Sequence, residues 1–472
     1  MNTTVADFLI EHKKQNPVSF HMPGHKGRPN LYEKYGYGDF LRNTIGNDIT
    51  EITGADALPQ PRGVIRRVME NYRELYGVLH TELLVNGSSA GLIAAILESV
   101  PRGGKLVMGR NSHKSVFSAL RLGGIQPVYV KPEVTPEHLQ GAITPKAVEK
   151  ALKEHPDASA VLITSPNYYG VLSDVEGIAL EAHAADAVLI VDQAHGAHLK
   201  FFDILARNKS GKHAAENLRA DIVVNSTHKT LASFTGTAIL NVCTKHVDIE
   251  SLSERIRMLQ TTSPSYILMG SLDINEKILR RDAPALMASW RDDLRYFYEQ
   301  SKDIVGLTVI RNPGMDLTKI NISMKAYGFG GARLAAELET RNIWPEMVHG
   351  DYVMLMTGIG NTREDYVRLL AALRDISAKY GITEKLKSPD ASDAMATFDL
   401  LQAPLPTAKS RLPLAQAAGH PVYDSVIPYP PGIPFACPGE VLTEDAIAYL
   451  QSLLRSGATV LGIEEDETIY VG

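Results

Sequence analysis

The sequence predicts an α/β protein built on a mainly parallel seven-stranded sheet flanked by helices, with a smaller α/β region towards the C-terminus. Three observations carry this. From about residue 80 to 242, short β-branched apolar runs alternate with stretches of helical periodicity, the pattern of successive βαβ units. After Gly306 a second alternation of strand and helix patterns begins. The chain of 472 residues is 44% hydrophobic, 22% charged and 7% aromatic, which supports large buried cores and excludes a disordered or fibrous protein.

Taken in order, residues 1–60 read as an N-terminal arm. His21-Met22-Pro23-Gly24-His25-Lys26-Gly27-Arg28 mixes chain breakers with charges, so it forms an irregular segment that needs a surface to lie against. A large domain is expected over 61–300. Its strands fall at 82–85, 105–108, 127–130, 160–163, 188–191, 221–224 and 238–241, and helical periodicity fills 89–100, 114–122, 145–154 and 175–184. Residues 251–298 read as mostly helical, broken at Ser263-Pro264-Ser265-Tyr266. A C-terminal α/β domain over 301–472 opens with a strand at 307–310, a helix near 331–341, a strand at 352–356 and a helix at 364–380. The Ser-, Asp-, Ala- and Pro-rich stretch 388–409 is a connecting loop, and the chain closes with Pro428-Tyr429-Pro430-Pro431-Gly432-Ile433-Pro434 and a helix at 444–455.

Charge and cysteine usage narrow the class. Lys and Arg number 48 against 54 Asp and Glu, a net charge of −6, so no basic surface for nucleic acid is indicated. Two cysteines, Cys243 and Cys437, are too few for a disulfide framework or a cysteine-rich zinc site and suit a reducing cytoplasm. The N-terminal residues lack a basic segment followed by an apolar one, and no run approaches the roughly 18 apolar residues of a membrane span.

Ligands of open α/β sheets sit beyond the carboxyl ends of the strands, and four segments there carry chemistry. Asn86-Gly87-Ser88-Ser89-Ala90-Gly91 is a strand-to-helix turn whose amides and hydroxyls suit a phosphate, although such turns are also common helix caps. Asn111-Ser112-His113-Lys114-Ser115 places an imidazole where it can stack on a flat ring, or merely follows a capping Ser112. Asp192-Gln193-Ala194-His195-Gly196-Ala197-His198 supplies a carboxylate for a ring nitrogen; a surface turn and a metal site at His195 and His198 compete, the latter poorly spaced. Ser226-Thr227-His228-Lys229-Thr230-Leu231 supplies the amine that a carbonyl-bearing cofactor requires. Each has an ordinary reading alone. The order of phosphate turn, ring, carboxylate and amine, each at a strand end, points to pyridoxal 5′-phosphate.

With the arm at His21, Asp48-Ile49-Thr50-Glu51, Ser165-Pro166-Asn167-Tyr168-Tyr169-Gly170, Thr262-Ser263-Pro264-Ser265-Tyr266, and Pro438-Gly439-Glu440, these segments resemble the Orn/Lys/Arg decarboxylase family. The resemblance implies a pyridoxal-phosphate fold of type I, like that of aspartate aminotransferase. It implies that Lys229 binds the cofactor, Asp192 pairs with its pyridine nitrogen and His113 stacks on its ring. Gly87, Ser88, Ser89, Ser226 and His228 would surround the phosphate, Ala194 would pack on the ring and His195 would lie near the phenolic oxygen. His228 and Lys229 are alternative acids for returning a proton to Cα. Ser263, Tyr266 and Glu440 are implied pocket residues. No metal is implied.

The expected reaction is decarboxylation of a basic amino acid, arginine to agmatine and carbon dioxide, in polyamine biosynthesis, by a homodimer or higher oligomer with its active site at the interface. Arginine is favoured because the first motif begins at His21, as in the short branch that lacks an N-terminal wing domain. Lysine or ornithine decarboxylation, an aminotransferase or lyase, and a silent homologue are the alternatives; an aminotransferase would need a second-domain arginine such as Arg341, Arg363 or Arg374. Glu440 and Asp351 are candidate partners for a distal guanidinium. Phe234-Thr235-Gly236-Thr237 departs from the family pattern by removing a side-chain amide near the cofactor, and Gln193 stands where many members have Glu.

Overall fold

Alternating side chains divide the central sheet between two cores. Leu106 and Met108, Leu162, and Ile190 face one cluster, while Val107, Val161 with Ile163, and Leu189 with Val191 face the other. That period of two, apolar on both faces, is what a sheet covered on both sides by helices demands. The computed structural model describes residues 4–205, 211–380, 400–429, 434–455 and 459–472.

Strand β1 (Val18–Phe20) lies in the arm. The seven strands of the main sheet follow: β2 (His80–Leu84), β3 (Lys105–Gly109), β4 (Gln126–Val130), β5 (Ala158–Thr164), β6 (Val188–Asp192), β7 (Ile222–Asn225) and β8 (Ala238–Val242). Their order is β2-β8-β7-β6-β5-β3-β4, parallel except that β8 runs against both neighbours. All seven expected strands are present, within two residues at each end. Helices Pro145–Glu154 and Val175–Ala184 begin where Thr144 and Asp174 cap the amides of Ala147 and Gly177. The predicted break at 263–266 separates helix Ile249–Leu259 from the 35-residue helix Tyr266–Gln300.

A four-stranded antiparallel sheet, ordered β12-β13-β10-β9, follows, from β9 (Thr308–Val309), β10 (Lys319–Ser323), β12 (Met347–His349) and β13 (Tyr352–Met356). Strand β11 (Ile343–Pro345) leaves it to pair in parallel with β1 of the arm. One core runs through the arm, the long helix and this sheet, joining Phe20, Met287, Phe297, Ile320, Leu355 and Tyr366. A separate core, including Leu414, Val426, Phe435, Leu450 and Ile469, organises residues 400–472 around helix Glu444–Arg455. Of the predicted loop 388–409, residues 388–399 lie outside the described residues, as do 430–433 of the proline-rich segment.

Candidate active site

The site is built at the carboxyl ends of β6 and β7. Strand β7 ends in Ser226 and the single helical turn Thr227–Thr230, which carries Lys229. The Lys229 ammonium donates to Nε2 of His195 at 3.0 Å. His195 belongs to the turn after β6, whose last residue is Asp192, and Oδ1 of Asp192 accepts the amide of Ala194 at 3.1 Å. Burial pushes the Asp192 carboxyl up, opposed by the charge on Lys229. Burial pushes Lys229 down, opposed by Asp192 and then by Glu346. Burial thus works against the charge on both groups, and each charge partly offsets the penalty on the other.

Two further imidazoles close around this pair. His113 caps helix Lys114–Gly123, its Nδ1 accepting the amide of Ser115 at 3.3 Å and the Ser115 hydroxyl at 2.9 Å. Burial first, and the charge of Lys229 second, lower its pKa to about 3, so its ring is neutral. Nδ1–H of His228 donates to the carbonyl of Thr237 at 2.7 Å, and burial lowers this imidazole to about 4.

Beside them, Gly87 opens helix Gly87–Ser99 at φ +75°, its amide bonded to the carbonyl of Gly236 at 2.8 Å. The Asn86 side chain makes no capping hydrogen bond there. Ser226 Oγ donates to Ser88 Oγ at 2.8 Å, so two hydroxyls converge where Ser88 and Ser89 present first-turn amides at the positive helix end. Of the ten buried polar side-chain atoms without partners among the described residues, four, on Asn111, Thr164, His195 and Thr230, lie at or just past the carboxyl ends of the sheet strands. Buried polar atoms are normally paired, so this end of the sheet has the chemistry of a polar ligand site.

The structure brings Lys229, Asp192, Ala194, His195, His113 and His228 to one end of the sheet, with Ser88, Ser89, Ser226 and Gly87 at the same end. Ser263, Tyr266 and Glu440 make their own contacts elsewhere and none with Lys229 among the hydrogen bonds of the described residues. Ser263 is exposed, and Tyr266 donates its hydroxyl to the Asp56 carbonyl at 2.6 Å. Glu440 is buried in a two-point ion pair with Arg110, at 2.6 and 2.5 Å, and also accepts the Cys437 amide at 2.8 Å. Asp351 pairs with Lys325 at 2.8 Å. Phe234 of the unusual segment meets His25, Tyr32 and Phe40, so the arm's aromatic residues surround the position.

Sequence reasoning missed two groups. Lys319, wholly buried on β10, donates to the His195 carbonyl at 2.6 Å and to Asp316 at 2.8 Å. Glu346, between β11 and β12, accepts the Met22 amide at 2.7 Å and attracts Lys229. No motif marks either, although a lysine in the apolar run Lys319-Ile320-Asn321-Ile322 is a signal of burial with a partner.

Residues 3–291 match the family model described as the Orn/Lys/Arg decarboxylase major domain, and residues 382–467 match that family's C-terminal domain. The chain belongs to the Orn/Lys/Arg decarboxylase family. Among its relatives, the arginine decarboxylase of Bacillus anthracis is 32% identical, covering 98% of this chain and 95% of that protein. That of Bacillus subtilis is 30% identical over 98% and 96%. The constitutive lysine decarboxylase of Escherichia coli is 22% identical in sequence, over 94% of this chain and 76% of its own length. Its solved structure superposes with a TM-score of 0.76 at 20% identity, covering 99% of this chain and 81% of that one. This decarboxylase also shares its fold with the pyridoxamine-pyruvate aminotransferase of Mesorhizobium loti, at a TM-score of 0.53, 16% identity and coverage of 70% and 86%. No helix among the described residues is long and apolar enough to cross a membrane.

Proposed function

We propose that this family member decarboxylates arginine to agmatine, using pyridoxal 5′-phosphate held by Lys229. The observation that carries the reading is the convergence of a desolvated amine, a buried carboxylate and a neutral imidazole at Lys229, Asp192 and His113. The donor set fits the cofactor. Ser88, Ser89 and Ser226 with the helix amides suit its phosphate, Asp192 its ring nitrogen, and His113 and Ala194 its two faces. When bound, it supplies an electron sink for the pair released as the Cα–carboxylate bond breaks.

The chain's own groups do the rest. Burial lowers the pKa of Lys229, the direction that favours the amine as a nucleophile. His195 accepts from that amine and fixes its direction. Asp192, whose carboxyl is pushed up by burial and pulled back by the charge of Lys229, would pair with the ring nitrogen and favour its protonated form. The hydrogen bond from His228 Nδ1 to Thr237 leaves Nε2 as the nitrogen open to a proton, and we read His228 and Lys229 as the alternative acids for Cα.

Arginine is favoured over lysine because the arginine decarboxylases named above are 30% and 32% identical over nearly the whole chain, against 22% for the lysine enzyme. Aminotransfer is disfavoured because the three second-domain arginines named as candidate clamps are engaged elsewhere. Arg341 binds Glu337 and Asp375, Arg363 binds Asp293, and Arg374 reaches Gln300. We further propose a homodimer in the cytoplasm, with the exposed Ser263 turn of one protomer beside the site of its partner.

The deciding experiment incubates cofactor-loaded protein with arginine, lysine and ornithine while carbon dioxide and amine are measured, with Lys229→Ala as control. Agmatine from arginine, lost in the variant, is expected. Release from lysine or ornithine alone would reassign the substrate, and release from none would reject decarboxylation of basic amino acids.

A further inference from the structure

At the amino-terminal end of the main sheet, opposite Lys229, three potential metal ligands meet outside any role assigned above. Asp221 immediately precedes β7 and is fully buried. His183 lies in the last turn of helix Val175–Ala184, and His246 follows β8. Nε2–H of His183 donates to Asp221 Oδ2 at 2.9 Å, while Nδ1 of His246 lies 3.2 Å from Oδ1. The ligand atoms of all three residues lie within 4.8 Å of one another, and the two imidazoles meet edge to face with centroids 5.1 Å apart.

The electrostatics of this cluster are unbalanced. A buried carboxylate is costly unless its charge is compensated. Asp221 is held by the Leu189 amide at 2.8 Å, by the Thr244 hydroxyl and by two imidazoles, which are weak counter-charges when neutral. A divalent cation would compensate it fully while using the imidazole lone pairs.

We propose that His183, Asp221 and His246 form a binding site for one divalent cation of the zinc class. Two imidazoles and one carboxylate are the ligand set that borderline metals favour over magnesium. Ligands at about 2.0–2.1 Å around a tetrahedral ion lie roughly 3.3 Å apart, so modest rotation of the side chains closes the site. The His246 side chain is 60% exposed, which gives the ion an entry path and a solvent-facing position for water. Binding through Nε2 of His183 would place that ring's proton on Nδ1, and would clamp together the end of one helix, the start of β7 and the segment after β8.

The test is calorimetric titration of metal-free, cofactor-loaded protein with zinc chloride, and separately with magnesium chloride, on the wild type, His183→Ala and His246→Ala. One zinc per chain is expected, weakened at least tenfold in both variants, with no magnesium binding. Zinc should raise the unfolding temperature of the wild type but not of the variants, and cobalt should develop visible ligand-field bands only in the wild type. No saturable zinc binding, or equal binding in His246→Ala, would overturn the proposal and leave the cluster as a hydrogen-bonded lock. His246 is exposed, so its variant decides the matter even where His183→Ala fails to fold.

Discussion

The buried ammonium of Lys319 donates to the backbone carbonyl of His195 at 2.6 Å, tying the second sheet to the turn that contains Asp192 and Ala194. The same ammonium bonds Asp316 at 2.8 Å, and Asp316 in turn receives Nε2–H of His198 at 3.1 Å. A turn that must present a carboxylate at a fixed angle is thus braced from behind by a charge network on another element.

Lys319→Met should therefore destabilise the protein strongly, by about 3–5 kcal/mol, because it leaves the Asp316 carboxylate buried without its ammonium. Adding Asp316→Asn should recover part of that loss, since the orphaned charge goes with it. Urea unfolding of the single and double variants measures both. Equal midpoints for the two would show that charge compensation is not the source of the effect.

Acid should weaken the fold well before the carboxylates of an ordinary surface titrate. His113, His228 and His25 have folded-state pKa values of about 3, 4 and 4, below the ordinary 6.5. Between those limits the unfolded chain binds more protons than the folded one, so stability is complete above pH 6.5 and is lost as the pH falls towards 4. Lys26, lowered by burial to about 7, adds stability as the pH rises from 7 towards 10.5 by the same linkage. Unfolding temperatures at pH 5, 7 and 8.5 should rise in that order, and a maximum at pH 5 would contradict the assignment.

Glu346 raises the proton affinity of Lys229, so Glu346→Gln should lower the pKa of the Lys229 amine while keeping an acceptor for the Met22 amide. Measuring the pH dependence of Lys229 modification by an amine-specific reagent in cofactor-free protein reads this directly. An unchanged profile would remove Glu346 from the electrostatics of the site.

Gly24 packs where a Cβ would strike the backbone of Thr230 and Leu231, directly after Lys229, and its amide donates to the His228 carbonyl at 2.7 Å. Gly24→Ala should push the arm off this turn, costing roughly 1–3 kcal/mol, the usual range for overpacking. Cofactor retention on dialysis should fall with it. Retention equal to wild type would mean that the arm does not support the Lys229 turn.

The main sheet was legible because each of its strands is a continuous apolar run, which few other structures produce. The placement of Lys229, Asp192 and His113 at or just past strand ends was legible because each follows an apolar strand run in the sequence. Strand β10 was not expected, since Lys319 and Asn321 interrupt its isoleucines; both are buried because His195 and Tyr169 supply partners from distant segments and Asp316 from the preceding turn. Strands β1 and β11 are three residues long and gain their meaning from each other across more than 300 positions. The Arg110–Glu440 pair was not legible, because nothing in the sequence links two residues 330 positions apart.

That Arg110–Glu440 clasp bears on how the enzyme can be recombined. Arg110 follows β3 and stands three residues before His113, and it also donates to the carbonyls of Pro434 and Phe435. The segment after β3 and the residues beyond 400 therefore share a buried ion pair, beside further contacts from Arg121, Tyr129 and Gln402. A chimera that takes residues 400–472 from one relative and the remainder from another keeps that ion pair only when one parent supplies the arginine and the other the glutamate.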